Sequence, residues 1–415
     1  MGTPFQELRE GEMRQQSGDL GVALVGSGFM GIAHSQGWRT APRVFELPLK
    51  PVMRVLCDRN RVAANTAATR LGWAEAETNW RTVLDRQDVD LVDICTPGDA
   101  HAEIAMAALE AGKHVLCEKP LANTLDEASR MAQGADRARR RGIRSMVCFN
   151  YRRLPALALA RQLITSGRLG TVRQVRAAYM QDWLADPEYP LLWRLQRERA
   201  GSGALGDLGS HIVDLAQFLL DDKLSGVTAL METFVRERPL PQPSEGRTHG
   251  PVTVDDCAIF AGRFSGGAIG TFEATRVAAG RKNALRIEVH GSDGSLAFDL
   301  ESLNELWFYD RREDPESAGF RRILVTEPSH PYISAWWPAG HVIGWEHTFS
   351  HEIADFVKAV GDGNDPSPSF AEGLHIQQVL AAVEDSAGHD CRWTAIPNAG
   401  GTTVGSRGEQ AQVSG

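Results

Sequence analysis

The run Gly21-Val-Ala-Leu-Val-Gly26-Ser-Gly28-Phe-Met-Gly31-Ile-Ala-His34 constrains this chain more than any other stretch. An apolar segment, Val22–Val25, leads directly into G-x-G-x-x-G, and a stretch with helical apolar spacing follows. Strand, glycine turn and helix in that order build a phosphate cradle. Gly26 makes the tight turn, Gly28 lets backbone approach a pyrophosphate, and Gly31 lets the helix pack closely on the strand. The helix N-terminus then offers unpaired N–H groups and the positive end of its dipole to the phosphates. A plain glycine-rich turn is the competing reading, and the flanking strand and helix weigh against it.

The same rhythm continues downstream. Val52–Cys57, Val89–Cys95, His114–Cys117 and Ser145–Phe149 are short apolar runs separated by helically spaced stretches. Strands that read apolar throughout are covered on both faces, as in a parallel sheet joined by crossover helices. The pattern predicts an α/β Rossmann domain with a parallel sheet over residues 20–148. From about residue 170 the strands lengthen: Val172–Trp183, Val227–Val235, Cys257–Phe264, Ala268–Thr275, Leu285–His290, Ser295–Asp299, Leu306–Tyr309 and Arg322–Val325. Ser265-Gly266-Gly267 and Gly291-Ser292-Asp293-Gly294 supply turn chemistry between them. These predict an α+β domain over residues 149–396 with a large, mostly antiparallel open-faced sheet, its free face left for substrate or another subunit. The Pro-rich Arg238–Pro251 reads as a surface loop, and His351–Val360 and Ala371–Ala387 read as helices packed back on the body. The polar, aperiodic residues 1–19 and 397–415 read as mobile tails.

Composition narrows the class. A chain of 415 residues has room for two or three domains at roughly 100–200 residues each. With 44 Lys+Arg against 53 Asp+Glu the net charge is −9, so there is no basic excess for a phosphate backbone and no nucleic-acid partner is expected. The N-terminus has no apolar secretory segment, and no apolar stretch approaches the ~18 residues of a membrane span; a cytoplasmic location away from membranes is expected. The six cysteines include no C-x-x-C pair, which fits reduced thiols better than a zinc ribbon or a disulfide framework.

The second apolar run ends in Cys57-Asp58-Arg59. A carboxylate there accepts hydrogen bonds from adenosine ribose hydroxyls and repels a 2′-phosphate, so Asp58 favours NAD over NADP, whereas Arg59 is suited to a 2′-phosphate or to stacking on adenine. The interval from Gly31 to Asp58 exceeds the usual ~20 residues, and Ala41–Pro51 reads as a loop insertion that accounts for it. Two more strand ends carry polar groups, Thr96-Pro97-Gly98-Asp99-Ala100-His101 and Glu118-Lys119-Pro120. Lys119 places a cation where an alcohol oxygen would meet a nicotinamide. Later, Gly201-Ser-Gly203-Ala-Leu-Gly-Asp207-Leu-Gly-Ser-His211-Ile-Val-Asp214 opens a helix. Asp207 and His211, four apart, should share a helical face, where the carboxylate would orient the imidazole and raise its basicity for general-base work. An N-terminal helix acid and a satisfied core histidine are the plain alternatives.

Taken together, the glycine turn, Glu118-Lys119-Pro120 and the Gly203-x3-Asp207-x3-His211-x2-Asp214 block resemble the glucose–fructose oxidoreductase/inositol dehydrogenase (Gfo/Idh/MocA) family over residues 20–395. Phe149-Asn150-Tyr151-Arg152-Arg153, Gln181-Asp182-Trp183 and Trp193-Arg194 resemble its levoglucosan dehydrogenase branch and related sugar 3-dehydrogenases. The resemblance implies Lys119 as catalytic lysine, His211 as acid/base and Asp207 as the carboxylate that orients the substrate hydroxyl. It implies that Glu118 holds the nicotinamide ribose and that Phe29, Met30, Thr96, Pro97 and His101 line the cofactor. Asn150, Arg152, Trp183 and Arg194 would face nicotinamide or sugar. Asp99 stands where many relatives carry Asn. A homodimer or homotetramer is likewise implied.

The expected activity is therefore NAD-dependent oxidation of a secondary hydroxyl, at C3, of a sugar, anhydrosugar or cyclic polyol. An NAD-dependent glycosidase using transient oxidation and a non-enzymatic dinucleotide-sensing regulator are the rival readings. The segment from His330 and Tyr332 through Trp336, Trp337, His341 and Trp345 suits sugar stacking or subunit packing equally. His347 and His351 have the spacing of a metal pair, but no third ligand accompanies them, and a helix-capping or interface role is expected instead of a metal.

Overall fold

The computed structural model describes residues 18–244 and 246–397; most of both predicted tails lies outside the described residues. Six parallel strands, β1 (Asp19–Val25), β2 (Lys50–Cys57), β3 (Glu75–Glu77), β4 (Leu91–Ile94), β5 (His114–Glu118) and β6 (Ser145–Cys148), form a sheet of order β3-β2-β1-β4-β5-β6. Apart from the first residue of β1, both β1 and β4 are buried throughout, as their mostly apolar character requires with helices on both faces; Asp93 in β4 is the buried exception. The strand order reverses between β1 and β4, so the crevice beyond their carboxyl ends is where such a sheet holds a ligand.

Two readings of this half are corrected. Ala41–Pro51 is not a loop insertion: the helix Phe29–Val44 runs on with Pro42 inside it, and Lys50 and Pro51 already belong to β2. The edge strand β3, three residues with two glutamates, went unread because a short charged edge carries no apolar signal.

The second sheet has nine strands: β7 (Val172–Met180), β8 (Leu224–Glu232), β11 (Cys257–Phe264), β12 (Ile269–Thr275), β13 (Ala284–Gly291), β14 (Gly294–Asp299), β15 (Glu305–Asp310), β16 (Arg321–Leu324) and β17 (Thr394–Ala395). Only the β7–β12 pair is parallel. Residues alternate along β11 between buried and more exposed positions, so one sheet face packs on the helices Ser210–Leu220 and Phe370–Ala387 while the other is open. Arg238–Pro251, expected as a loop, is mostly a two-stranded ribbon of β9 (Glu237–Ser244) and β10 (Arg247–Pro251). Pro239 pairs with His249, and the register shifts between Arg247 and His249, so the ribbon accommodates its prolines in an irregular ladder. Among the described residues no helix is long and apolar enough to cross a membrane.

Candidate active site

A cavity of about 1040 Å³ opens above the carboxyl ends of β1, β2, β4 and β5 and extends to the second sheet. Its floor is the glycine turn. Gly26 has φ +105°, and a Cβ there would lie 2.6 Å from the Cys95 carbonyl oxygen, so only glycine fits. Gly28 faces open space, a cradle that any side chain would fill. Gly31 is not on the cavity wall: a Cβ there would sit 2.0 Å from the Gly26 carbonyl oxygen, which makes it the point of close helix packing. Asp58 at the end of β2 accepts the Ser27 N–H at 3.1 Å and the Asn60 N–H at 3.2 Å. Burial pulls against it, but the hydrogen bonds from Ser27 and Asn60 hold its carboxyl below the usual range. Met30, Arg59, Thr96 and Pro97 line the same cavity. His101 does too, with its ring nitrogens facing the Thr96 and Pro120 carbonyls at 3.0 Å, so it ties two strand-end turns together.

The far wall carries Lys119, Asp207 and His211. Lys119 Nζ donates to the main-chain oxygen of Asp207 at 2.9 Å and to Asp207 Oδ1 at 3.1 Å. Burial works against the Asp207 charge, yet the Lys119, Arg276 and Arg194 cations hold its carboxyl well below the ordinary range. Asp207 sits in a wide π turn, Leu205–Gly209, and His211 in the first turn of the α-helix that follows. Asp255 anchors the glycine-rich approach by accepting the N–H groups of Gly203 and Leu205 at 2.6 and 2.8 Å. The expected carboxylate–imidazole bond is absent: Asp207 binds Lys119, and His211 Nδ1 is buried without a partner. Burial and the Lys119 charge push the His211 pKa well below 6.5, with Asp207 opposing in part, so the imidazole is neutral at pH 7.

His211 packs among Phe149, Tyr151 and Tyr179, with the Tyr151 ring centroid 4.7 Å away. From there a chain of polar groups crosses the wall. Tyr151 and Tyr179 hydroxyls are 2.8 Å apart, and the Tyr179 hydroxyl and Gln181 Nε2 each donate to Asn283 Oδ1 at 2.7 Å. Trp183 Nε1 donates to Gln181 Oε1 at 2.9 Å. Glu118, Asn150, Trp183 and Arg194 line the cavity as expected positions. Tyr151 was quoted from sequence only as part of a resembling segment, and Tyr179, Asn283 and Arg276 were not singled out; a tyrosine on a strand, as Tyr179 is, and an asparagine in a turn are ordinary there.

Arg152 is a correction. It does not line the cavity; its guanidinium is bidentate to Asp214 at 2.6 and 2.8 Å and also donates to Glu372 at 2.9 Å, deep between helices. Asp214 thus belongs to this ion pair and faces no ligand. The aromatic segment is divided: Trp345 lines the cavity and stacks on Phe29 at 5.5 Å, Phe29 itself staying 64% exposed, whereas Trp336 packs on His347 and His351. His347 Nδ1 accepts the Gly344 N–H, and His351 bridges the Trp336 indole N–H and the Arg153 carbonyl, so both rings serve the start of their helix. Asp99 pairs with Arg199 at 3.4 Å across the cavity mouth. The six cysteines are free thiols, with Cys57, Cys95, Cys117 and Cys148 buried.

The site fits a dinucleotide on its own geometry: an open glycine cradle, a strand-end carboxylate, and two buried polar atoms on the wall, Thr96 Oγ1 and His211 Nδ1, that lack a protein partner. Residues 20–145 match a family model described as an oxidoreductase family with NAD-binding Rossmann fold, and residues 157–297 match the GFO/IDH/MocA C-terminal domain. The chain is 42% identical to levoglucosan dehydrogenase of Pseudarthrobacter phenanthrenivorans over 391 residues, covering 91% of this chain and 98% of that protein. A solved structure of levoglucosan dehydrogenase in complex with NADH and levoglucosan superposes with a TM-score of 0.87 at 42% identity, over 91% of this chain and 99% of that one. An oxidoreductase domain protein from Kribbella flavida gives a TM-score of 0.89 at 61% identity, over 92% and 100%.

Proposed function

This chain belongs to the Gfo/Idh/MocA family of NAD-binding oxidoreductases, and from that premise we propose that it oxidises a secondary hydroxyl, at C3, of a sugar, anhydrosugar or cyclic polyol. The observation that carries this reading is the pairing of a fixed ammonium with an unpaired, neutral imidazole on the wall of the cavity that the glycine turn opens. NAD, when bound, supplies the hydride acceptor. Lys119 spends two of its three N–H groups on Asp207 and has one left for the substrate oxygen, where it stabilises the charge that develops as the proton leaves. His211 takes that proton; burial keeps it unprotonated and ready to accept. Asp207 holds the ammonium in place, and Tyr179, Gln181, Asn283 and Trp183 offer a ring of donors, acceptors and an aromatic face suited to a polyhydroxylated ring. Gly26, Gly28 and the helix behind them would hold the pyrophosphate, Asp58 the adenosine ribose, and Glu118 and Asn150 the nicotinamide half. Asp58 at this position supports NAD over NADP. The open sheet face, with Leu230, Ile259 and Ile269 exposed, supports assembly as a homodimer or homotetramer.

The test is a substrate screen with NAD and with NADP across anhydrosugars, inositols and glucosides, reading NADH or NADPH formation. Substrate-dependent NADH formation with levoglucosan or a related sugar is the expected result. NAD binding with no turnover of any sugar would overturn the enzymatic reading, and sugar release without net NADH would move the activity to the NAD-dependent glycosidases.

A further inference from the structure

We propose that His34 is a positioning residue: clamped as an imidazolium between Asp93 and Glu118, it fixes the Glu118 carboxylate toward the ribose diol at the nicotinamide end of the cavity. The inference rests on the dehydrogenase reading above. His34 lies one turn beyond the glycine turn, 1% exposed. Its Nδ1 is 3.0 and 2.9 Å from the two Asp93 oxygens, and its Nε2 is 3.0 Å from Glu118 Oε1. Carboxylates only accept, and a neutral imidazole donates from one nitrogen alone, so both contacts are satisfied together when the ring carries both protons. Burial opposes that charge, but Asp93 holds the imidazole well above its ordinary value.

The clamp is anchored behind and free in front. Behind, Trp38 Nε1 donates to Asp93 Oδ2 at 2.7 Å, and Asp93 is fully buried. In front, Glu118 Oε2 accepts the Lys119 N–H at 3.1 Å, and the carboxylate reaches the cavity beside Thr96 and Asn150 while only 5% exposed. With one oxygen tied by a charge-assisted bond and the other by its own chain, Glu118 has a set orientation, and its remaining lone pairs point where two adjacent hydroxyls can donate. The ring also packs on Phe349, 5.3 Å away, and Glu352 on the same helix is pushed up to about 8 by burial, opposed by Arg153 and His34. His34 has metal-ligand spacing to Glu118 with Cys148, and to Asp93 with Cys95. Yet its two nitrogens are already committed to carboxylates, and burial holds both thiols protonated, so the cluster is complete without an ion.

The experiment measures NADH and ADP binding to the purified full chain and to H34Q, E118Q and the H34Q/E118Q double variant, alongside sugar-dependent NADH formation. ADP reaches the glycine turn and Asp58 but carries no nicotinamide ribose. H34Q is expected to weaken NADH about tenfold, the worth of one charge-assisted hydrogen bond, with ADP unchanged within about twofold and no further loss when added to E118Q. Should H34Q not fold, D93N keeps the imidazole, removes its charge partner, and carries the same test with the same direction. An unchanged NADH affinity, an equal loss for NADH and ADP, or additive losses in the double variant would overturn the clamp while sugar-dependent NADH formation leaves the dehydrogenase reading standing. Absence of NADH binding in the unaltered protein would overturn both.

Discussion

Replacing Lys119 by methionine keeps most of the side chain's length and removes its charge. In the folded protein two Nζ–H groups go to Asp207, at 2.9 and 3.1 Å, and one remains for the substrate oxygen. A preorganised donor to an oxygen on which charge develops is worth about 10²–10³ in turnover, and kcat of Lys119→Met should fall by that factor. NADH affinity, set by the glycine turn, Asp58 and Glu118, should change by less than about threefold, because the missing donor acts on the reacting atoms. A second readout follows from charge. Lys119 stands next to burial among the causes that push His211 down, so its removal lets the imidazole pKa rise toward 6.5. A protonated His211 cannot accept the hydroxyl proton, so activity disappears as pH falls through that pKa. The acid limb of kcat/KM should therefore move to higher pH, by about one unit or more, the low end of what a neighbouring like charge does. Lys119→Arg should not restore turnover, since a planar guanidinium does not reproduce three rotatable donors at one point. Steady-state kinetics from acid to alkaline pH with NADH fluorescence for binding decides the matter. A kcat within about tenfold of the parent, or an acid limb displaced downward, refutes the assignment.

Asp58→Ser should lower kcat/KM for NAD and raise the NADP-to-NAD ratio by about tenfold or more, because it removes a charge-assisted hydrogen bond to the ribose and relieves a repulsion of the 2′-phosphate; paired kinetics with the two cofactors measure it. Breaking the buried Arg152–Asp214 pair with Arg152→Met should cost about 3–5 kcal/mol in denaturant unfolding, and adding Asp214→Leu should recover most of it, with NADH affinity of the folded double variant preserved. Gly28→Val should leave the thermal midpoint near the parent because its Cβ meets nothing within 4 Å, yet abolish NADH binding, whereas Gly31→Ala should destabilise the fold itself because its Cβ would lie 2.0 Å from the Gly26 carbonyl oxygen.

How much could be read from the chain depended on whether local order carried the information. The glycine turn, the apolar runs that became β1, β2, β4, β5 and β6, and the alternating strands of the second sheet were legible because burial on one or both faces writes itself into periodicity. Arg238–Pro251 was misread because proline is normally a strand breaker, and only the pairing shows an irregular ladder that takes in Pro239. Arg152 was misassigned for another reason: beside Asn150 in sequence, it points the opposite way, into Asp214 and Glu372, and a direction around a short 3-10 turn is not written in spacing. His34 went unnoticed as a functional group because one histidine among apolar helix positions looks like core until Asp93 and Glu118 are seen on either side of it.

Asp207 and His211 are the deeper case. An interval of four residues on a helix predicts contact, and contact predicts an imidazole made more basic by its carboxylate. The π turn Leu205–Gly209 breaks the premise, because the wider winding sends Asp207 toward Lys119 and leaves His211 among aromatic rings. The result separates two tasks that a carboxylate–imidazole pair would merge. In the proposed mechanism, charge on the substrate oxygen is met by an ammonium whose own charge is already balanced and whose position is fixed by two bonds. Proton acceptance in that mechanism falls to an imidazole that carries no charge and has no hydrogen-bond partner at Nδ1. A base weakened by burial takes the hydroxyl proton only as the oxygen left behind gains negative charge at a position Lys119 already stabilises, which ties the proposed action of His211 to the presence of Lys119 rather than to that of Asp207.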